Sequence, residues 1–214
     1  MKVARHLLPA ILPLAFLALT ACSQLEKPPK AIRHYMLEYT PPHIAFGQRL
    51  PVSLKVTPFQ SVSVLSSRQI IYRQADFRRE TYIYHQWRIP PADMITDLFV
   101  RDLRRSNLFM AIAAPGQHFP VTHVLSGTLD QFMEVDHKKH SDAVLSVTLT
   151  LTSNDPGAGI GGILLQRNYT YRRTISEPPP LGLTRAMSLA MADLSAAAIH
   201  DIHAALVRGT APIR

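Results

Sequence analysis

The 214-residue sequence contains a single cysteine, Cys22, and a single tryptophan, Trp87. One thiol excludes any intramolecular disulfide. No apolar run reaches the roughly 20 residues needed to cross about 30 Å of hydrocarbon as a helix. The nearest, Leu7 to Ala21, has 15 residues and is broken by Pro9 and Pro13. Acidic residues are scarce, 15 against 23 lysines and arginines. There is no internal repeat and no G-x-S-x-G nucleophile elbow.

What the N-terminus does contain is an ordered signal. Lys2 and Arg5 precede the apolar run, and the run closes on Leu19-Thr20-Ala21-Cys22. A basic start, a short greasy stretch and small residues before a lone cysteine form a bacterial lipoprotein signal peptide with its lipobox. Residues 1–21 are then removed, and Cys22 becomes an acylated first residue carrying palmitate-type lipid. Ser23 follows it, where an Asp tends to retain lipoproteins at the inner membrane of enteric bacteria. Outer-membrane attachment facing the periplasm is therefore expected, rather than the inner membrane.

The mature chain has 193 residues (214 less 21), enough for one domain with a proper core. Losing Lys2 and Arg5 lowers the formal charge from +8 to +6, so the mature domain stays basic. Export argues against nucleic acid as the partner of that charge. Anionic headgroups, lipopolysaccharide or an acidic protein surface fit better, as does a merely solvated arginine-rich surface. Residues 22–33 are polar, include Pro28-Pro29 and form a lipidated tether. The folded domain is expected over 34–208, with a short tail at 209–214.

Strand patterns dominate the middle of the chain. Val52, Leu54 and Val56 alternate with Ser53, Lys55 and Thr57. Gln69–Arg73 and Glu80–Arg88 are two strands joined by a polar turn, and Val121–Val135 is a looser one. In Ala143–Ser153, Leu145, Val147, Leu149 and Leu151 oppose Ser146, Thr148, Thr150 and Thr152, so one packed and one polar face are expected. After the Asn154–Gly157 turn, Ile163–Ile175 returns as the antiparallel partner.

Two helices are predicted. One opens at Pro90-Pro91, with Asp93 and Asp97 early and Arg101, Arg104 and Arg105 late, in the sense the helix dipole favours. Its core face is Ile95, Leu98, Phe99 and Leu103, with Asp102 among them, which calls for a salt bridge to a neighbouring arginine. The other runs from about Leu183 to Val207, with Leu183, Met187, Met191, Leu194, Ala198, Ile202 and Ala205 on one stripe. The expected architecture is α/β: a mixed, largely antiparallel sheet with two amphipathic helices packed on it, in a single domain.

Candidate chemistry is sparse. Gly157-Ala158-Gly159-Ile160-Gly161-Gly162 matches G-x-G-x-x-G, but that string needs a following helix to meet phosphate. Here it leads into a strand, so a hairpin tip is expected. His200 and His203 are spaced i, i+3 opposite the apolar stripe. His137 and His140 bracket two lysines, which repel a cation. No catalytic residue, cofactor or metal site is therefore expected, and the chain is not expected to be an enzyme. Tyr72, Tyr82, Tyr84 and Trp87 form an aromatic cluster with Arg73, Arg78, Arg79 and Arg88 close by in sequence. Aromatic and arginine side chains are enriched at interface hot spots. They also pack under helices, and the sequence leaves both roles open.

The stretch Arg68-Gln69-Ile70-Ile71-Tyr72-Arg73, followed by Tyr84-His85-Gln86-Trp87, Pro90-Pro91 and a Leu- and Arg-rich helix, resembles the ABC-type transport auxiliary lipoprotein family. Tyr35-Met36-Leu37 is similar to the family's opening strand, and Ala143–Thr174 to its late strand pair. Arg88-Ile89 departs from the pattern, where relatives often have a small and then an acidic residue. The resemblance implies an MCE-domain protein and an ABC transporter permease/ATPase complex as partners, as in paraquat-inducible systems that move phospholipid or other hydrophobic molecules. It implies a non-catalytic docking role, with Arg73, Tyr84, Trp87 and Arg88 as candidate partner-binding residues, and homo-oligomers are compatible with it. The alternatives are a stand-alone structural or assembly lipoprotein binding lipopolysaccharide or peptidoglycan, and a periplasmic hydrolase.

Overall fold

The computed structural model describes residues 30–44, 47–155 and 162–209. Nine strands and two helices follow in order: β1 (Arg33–Tyr35), β2 (Leu50–Val56), β3 (Gln60–Ser61), β4 (Gln69–Ala75), β5 (Arg78–Trp87), α1 (Pro91–Arg105), β6 (Phe109–Ala113), β7 (His123–Asp136), β8 (Ser141–Ser153), β9 (Ile163–Thr174) and α2 (Leu181–Gly209).

The 14-residue β7 is the spine of one mixed sheet. On one flank it pairs antiparallel with β8, which pairs antiparallel with β9. On the other flank three short strands lie end to end, all parallel to it: β2 against His123–Leu125, β3 against Thr128–Leu129, and β4 against Glu134–Val135. Beyond β2 lies β6, and beyond β4 lie β5 and then β1. The sheet is mixed, as its sequence implied. Its long ladders are antiparallel, while the parallel pairings have only two to four residue pairs each.

The β8 alternation behaves as its pattern requires. Leu145, Val147, Leu149 and Leu151 are fully buried. Opposite them, Phe132 faces Leu145 and Leu129 faces Val147, so one extra residue, Asp130, bulges from β7. The bulge restores core-facing parity after Leu129 and brings the Asp130 carboxylate to the other face. There Thr148 Oγ1 and Asn168 Nδ2 donate to it at 2.7 and 3.0 Å. That face is not uniformly wet, since Val144 and Ser146 are also buried.

Both helices cover the same side of the sheet. Gly127, paired with Leu149, leaves room for the Phe59 ring, which sits 6.1 Å from Phe99 of α1. Two residues along β8, Val147 pairs with Tyr169, whose hydroxyl donates to Asp201 of α2 at 2.8 Å. All seven residues of the predicted α2 stripe are buried. No described helix is long and apolar enough to cross a membrane.

The chain after β1 ties the helices together. The Leu37 N–H points at Met94 Sδ of α1, and the Glu38 N–H donates to Ser188 Oγ of α2. Tyr39 Oη donates to Asp102 at 2.5 Å. Asp102 is 1% exposed and paired with Arg101 at 2.8 Å, whose guanidinium also stacks on the Tyr39 ring. Arg101 is thus the partner the sequence called for. Tyr39 supplies a second hydrogen bond, which a buried carboxylate needs for full compensation. Burial and the Asp102 carboxylate push the Tyr39 hydroxyl pKa well above its ordinary value.

Candidate functional site

The residues singled out for partner binding lie on β4, β5 and the chain just after β5. Two residues, Asp76 and Phe77, turn this hairpin, and Phe77 takes a left-handed φ of 62°. Ile71 pairs with Thr81 but Gln69 pairs with Gln86, so β5 carries surplus residues between Thr81 and Gln86. Bulges of this kind bend a strand and re-aim its side chains. Ile83 is left 77% exposed and Tyr84 42% exposed. β1 covers only His85–Trp87 on the outer flank of β5. Among the described residues, no strand flanks Arg78–Ile83 on that side.

The four candidates do not form one patch. Tyr84 and Arg88 are exposed and Arg73 is half-buried. Tyr72 pairs with Glu80, which puts Arg73 at the turn end of the hairpin, whereas Arg88 follows the far end of β5. Along β4, Arg73 lies four residues from Gln69, which pairs with Gln86, so at about 3.3 Å per residue the two ends lie roughly 20 Å apart. Trp87 lies in the core, 1% exposed, with its ring edge-to-face on Phe132 at 5.0 Å. Its indole presents no surface to a partner, which corrects its assignment as a docking residue and favours the packing role. Cys22 lies outside the described residues.

The inner aromatics build a polar relay instead. Tyr72 Oη donates to Glu80 at 2.6 Å, and the Tyr72 ring sits 5.0 Å from Tyr82. Tyr82 Oη donates to Glu134 at 2.8 Å, and Tyr82 meets His85 edge-on. His85 Nδ1 shares a hydrogen bond with Tyr35 Oη at 2.9 Å. Glu134 is 2% exposed. Burial pushes its pKa up to about 7, against the opposing hydrogen bond from Tyr82, with nearby Asp136 adding to the rise.

The sign of the stability effect follows from linkage. Between about pH 4.5 and 7 the folded chain holds a proton on Glu134 that the unfolded chain has released. The fold therefore loses stability through this group as pH rises across that window. Glu134→Gln, which keeps an acceptor for Tyr82, is expected to stabilise the protein by about 1–3 kcal/mol at pH 8 and to have little effect at pH 4. Thermal melts at the two pH values check this.

Histidines gather where β7 turns into β8. His137 and His140 stack with ring centroids 4.7 Å apart, and both approach Asp142, at 3.3 and 3.7 Å. In the sequence the histidine pair shows only its two intervening lysines, and the hairpin adds Asp142 to it. His200 and His203 on α2 join no comparable cluster among the described residues. Most of the glycine string lies outside the described residues. β9 begins at Ile163, where a dinucleotide site would need a helix. A groove of about 360 Å³ between β9 and α2 is lined by Arg167, Tyr169, His200 and Asp201. Its carboxylate is already occupied by Arg167 and Tyr169.

The sequence matches the family model described as "ABC-type transport auxiliary lipoprotein component" over residues 35–198. No curated protein sequence matches the chain significantly. Among solved structures, a protein from Xanthomonas campestris is similar at a TM-score of 0.67 and 15% identity, covering 85% of this chain and 96% of that one. An uncharacterized protein is similar at 0.64 and 14% identity, covering 80% and 99%. A hypothetical protein from Chlamydia trachomatis reaches 0.50 at 8% identity, covering 72% and 96%. At these identities the structures speak for the fold alone: a mixed sheet with two helices. The family match spans the sheet from β1 to β9 and most of α2, and on that ground the chain belongs to the ABC-type transport auxiliary lipoprotein family.

Proposed function

We propose that this lipoprotein is the membrane-anchored, non-catalytic docking subunit of an MCE-type ABC transport system. In this reading the system moves phospholipid or other hydrophobic molecules across the envelope, and ATP is hydrolysed by the cytoplasmic ATPase. The chain sits at the outer membrane through acylated Cys22 and faces the periplasm. Its docking surface is the outer edge of β5, and the MCE-domain protein is the partner held there.

One observation carries the reading: β5 is bulged and open, and it shows a large apolar side chain to solvent at Ile83, followed by Tyr84. A strand edge without a neighbour offers backbone hydrogen bonds to an incoming segment. Alternate side chains beside it supply apolar contact. Arg88, just past the end of β5, and Arg73, on the neighbouring β4 near the hairpin turn, would act as peripheral contacts, where charges steer association more than they hold it.

The test is capture of the tagged, acylated full-length chain from detergent-solubilised membranes, with the MCE-domain protein and ATPase quantified by mass spectrometry. Ile83→Asp is expected to lower their recovery by at least about tenfold, equivalent to 1.4 kcal/mol. An exposed substitution of this kind should leave the melting temperature nearly unchanged. Wild-type recovery of MCE and ATPase by the variant would move the docking surface elsewhere. A wild-type chain that co-sediments with purified cell wall and brings down no MCE protein would instead favour the stand-alone envelope role.

A further inference from the structure

We propose that the β7–β8 hairpin carries a divalent transition-metal site of the zinc class, with His137, His140 and Asp142 as ligands. The arrangement follows from strand geometry. His137 and His140 face each other one step beyond the last ladder pair, Asp136–Ser141, and are joined by the His137 N–H donating to the His140 carbonyl at 2.8 Å. Residues paired across a ladder point to the same face, and so does the residue two further along. His140 and Asp142 therefore share a face with His137. The ring stacking and the approach of both rings to one carboxylate are the result.

The distances suit a small cation. His137 Nε2 lies 3.3 Å from Asp142 Oδ2, and His140 Nε2 lies 3.7 Å from Asp142 Oδ1. The three ligand atoms lie within 4.8 Å of one another. Zinc bonds of about 2.0–2.1 Å in a tetrahedron put neighbouring ligand atoms roughly 3.4 Å apart. Rotation of two half-exposed rings about their side-chain bonds closes that difference without moving the ladder. Two imidazoles and one carboxylate are a borderline donor set that selects Zn²⁺, and its neighbours Co²⁺, Ni²⁺ and Cu²⁺, over Mg²⁺ or Ca²⁺.

The carboxylate is also held by a hydrogen bond. Thr174 Oγ1, from the strand opposite, donates to Asp142 Oδ1 at 3.0 Å. Such outer hydrogen bonds orient metal ligands. Lys138 and Lys139 occupy the two-residue turn, and long solvated stems let their ammonium groups swing away from the cation. Three protein ligands leave one position for water or for a donor from another molecule.

Isothermal titration of ZnCl₂ into the acylated full-length protein in detergent tests the site. One saturable equivalent per chain is expected. His140→Gln and Asp142→Asn are expected to weaken it at least tenfold, and a His200→Gln/His203→Gln variant to leave it intact. Unmodified protein gives a second measurement: zinc should protect His137 and His140, and not His200, from diethyl pyrocarbonate, read by peptide mass spectrometry. Absence of saturable binding, binding that survives His137→Gln/His140→Gln, or equal labelling with and without zinc would overturn the proposal.

Discussion

Trp87→Ala is expected to destabilise the protein by about 3–5 kcal/mol, the usual range for removing a large aromatic from a core. The side chain is fully buried and packs on Phe132 of β7, while its backbone N–H donates to Arg68 and its strand position pairs with Tyr35. The indole thus ties β5 to β7 while the Trp87 backbone is held by β1 and Arg68, so its removal leaves a cavity in the core. For a domain of this size each kcal/mol shifts the melting temperature by about 2–4 °C, so a fall of roughly 6–20 °C should be seen by circular dichroism. Trp87→Phe is expected to retain most of the stability. It keeps a ring against Phe132 and removes an indole N–H that meets no acceptor among the described residues. A Trp87→Ala variant melting within about 2 °C of wild type would remove the residue from the core. The experiment also bears on docking. Loss of partner capture by Trp87→Ala would report unfolding, so Ile83→Asp is the informative change on β5.

The same strand shows where sequence reasoning stops. Periodicity located β8 and α2 because a long run of alternation, or of helical spacing, averages over local accidents. It left Trp87 open between surface and core because β5 does not keep its period. The surplus residues between Thr81 and Gln86 break the parity that links Tyr82 and Tyr84 to Trp87, and nothing in the local composition marks the break. β3 and β6 are two and five residues long, too short to show a period, and their pairing with β7 and β2 is decided by tertiary contact.

Asp102 was visible as an anomaly on an apolar face that called for a neighbouring arginine, and the structure supplies Arg101. Tyr39 was not visible, since 63 residues separate it from Asp102. Glu134 carried no signal, because its burial depends on Tyr82 lying over it from another strand. The histidine cluster is the instructive case. The pairing of His137 with His140 and the two-residue step to Asp142 were written in the chain. They acquire meaning only once the hairpin register is known. Charge counting along the sequence registered the two lysines and passed over the carboxylate.

Cys22→Ala is expected to abolish acylation and to remove the protein from the outer membrane. The argument is one of summed transfer energies. Each buried methylene contributes about 0.8 kcal/mol, and one acyl chain gives only marginal, reversible binding, whereas two or more hold a protein stably. A lipobox cysteine carries a diacylglyceryl group through its sulfur, so a methyl in place of that sulfur deletes the attachment at its origin. Neither described helix can substitute, because none is long and apolar enough to span a bilayer. The variant should also keep residues 1–21, since cleavage before residue 22 follows lipid transfer to the thiol. The retained Leu7–Ala21 stretch, 15 residues with two prolines, falls short of the roughly 20 needed to span. It is expected to give at most weak association with the inner membrane. Metabolic labelling with a palmitate analogue, followed by density-gradient separation of the two membranes, reads both effects. Wild type should carry label and migrate with the outer membrane, and Cys22→Ala should carry none and leave that fraction. Full processing and unchanged outer-membrane migration of the variant would show that something other than this thiol holds the domain, and the docking role built on a lipid tether would fall with it.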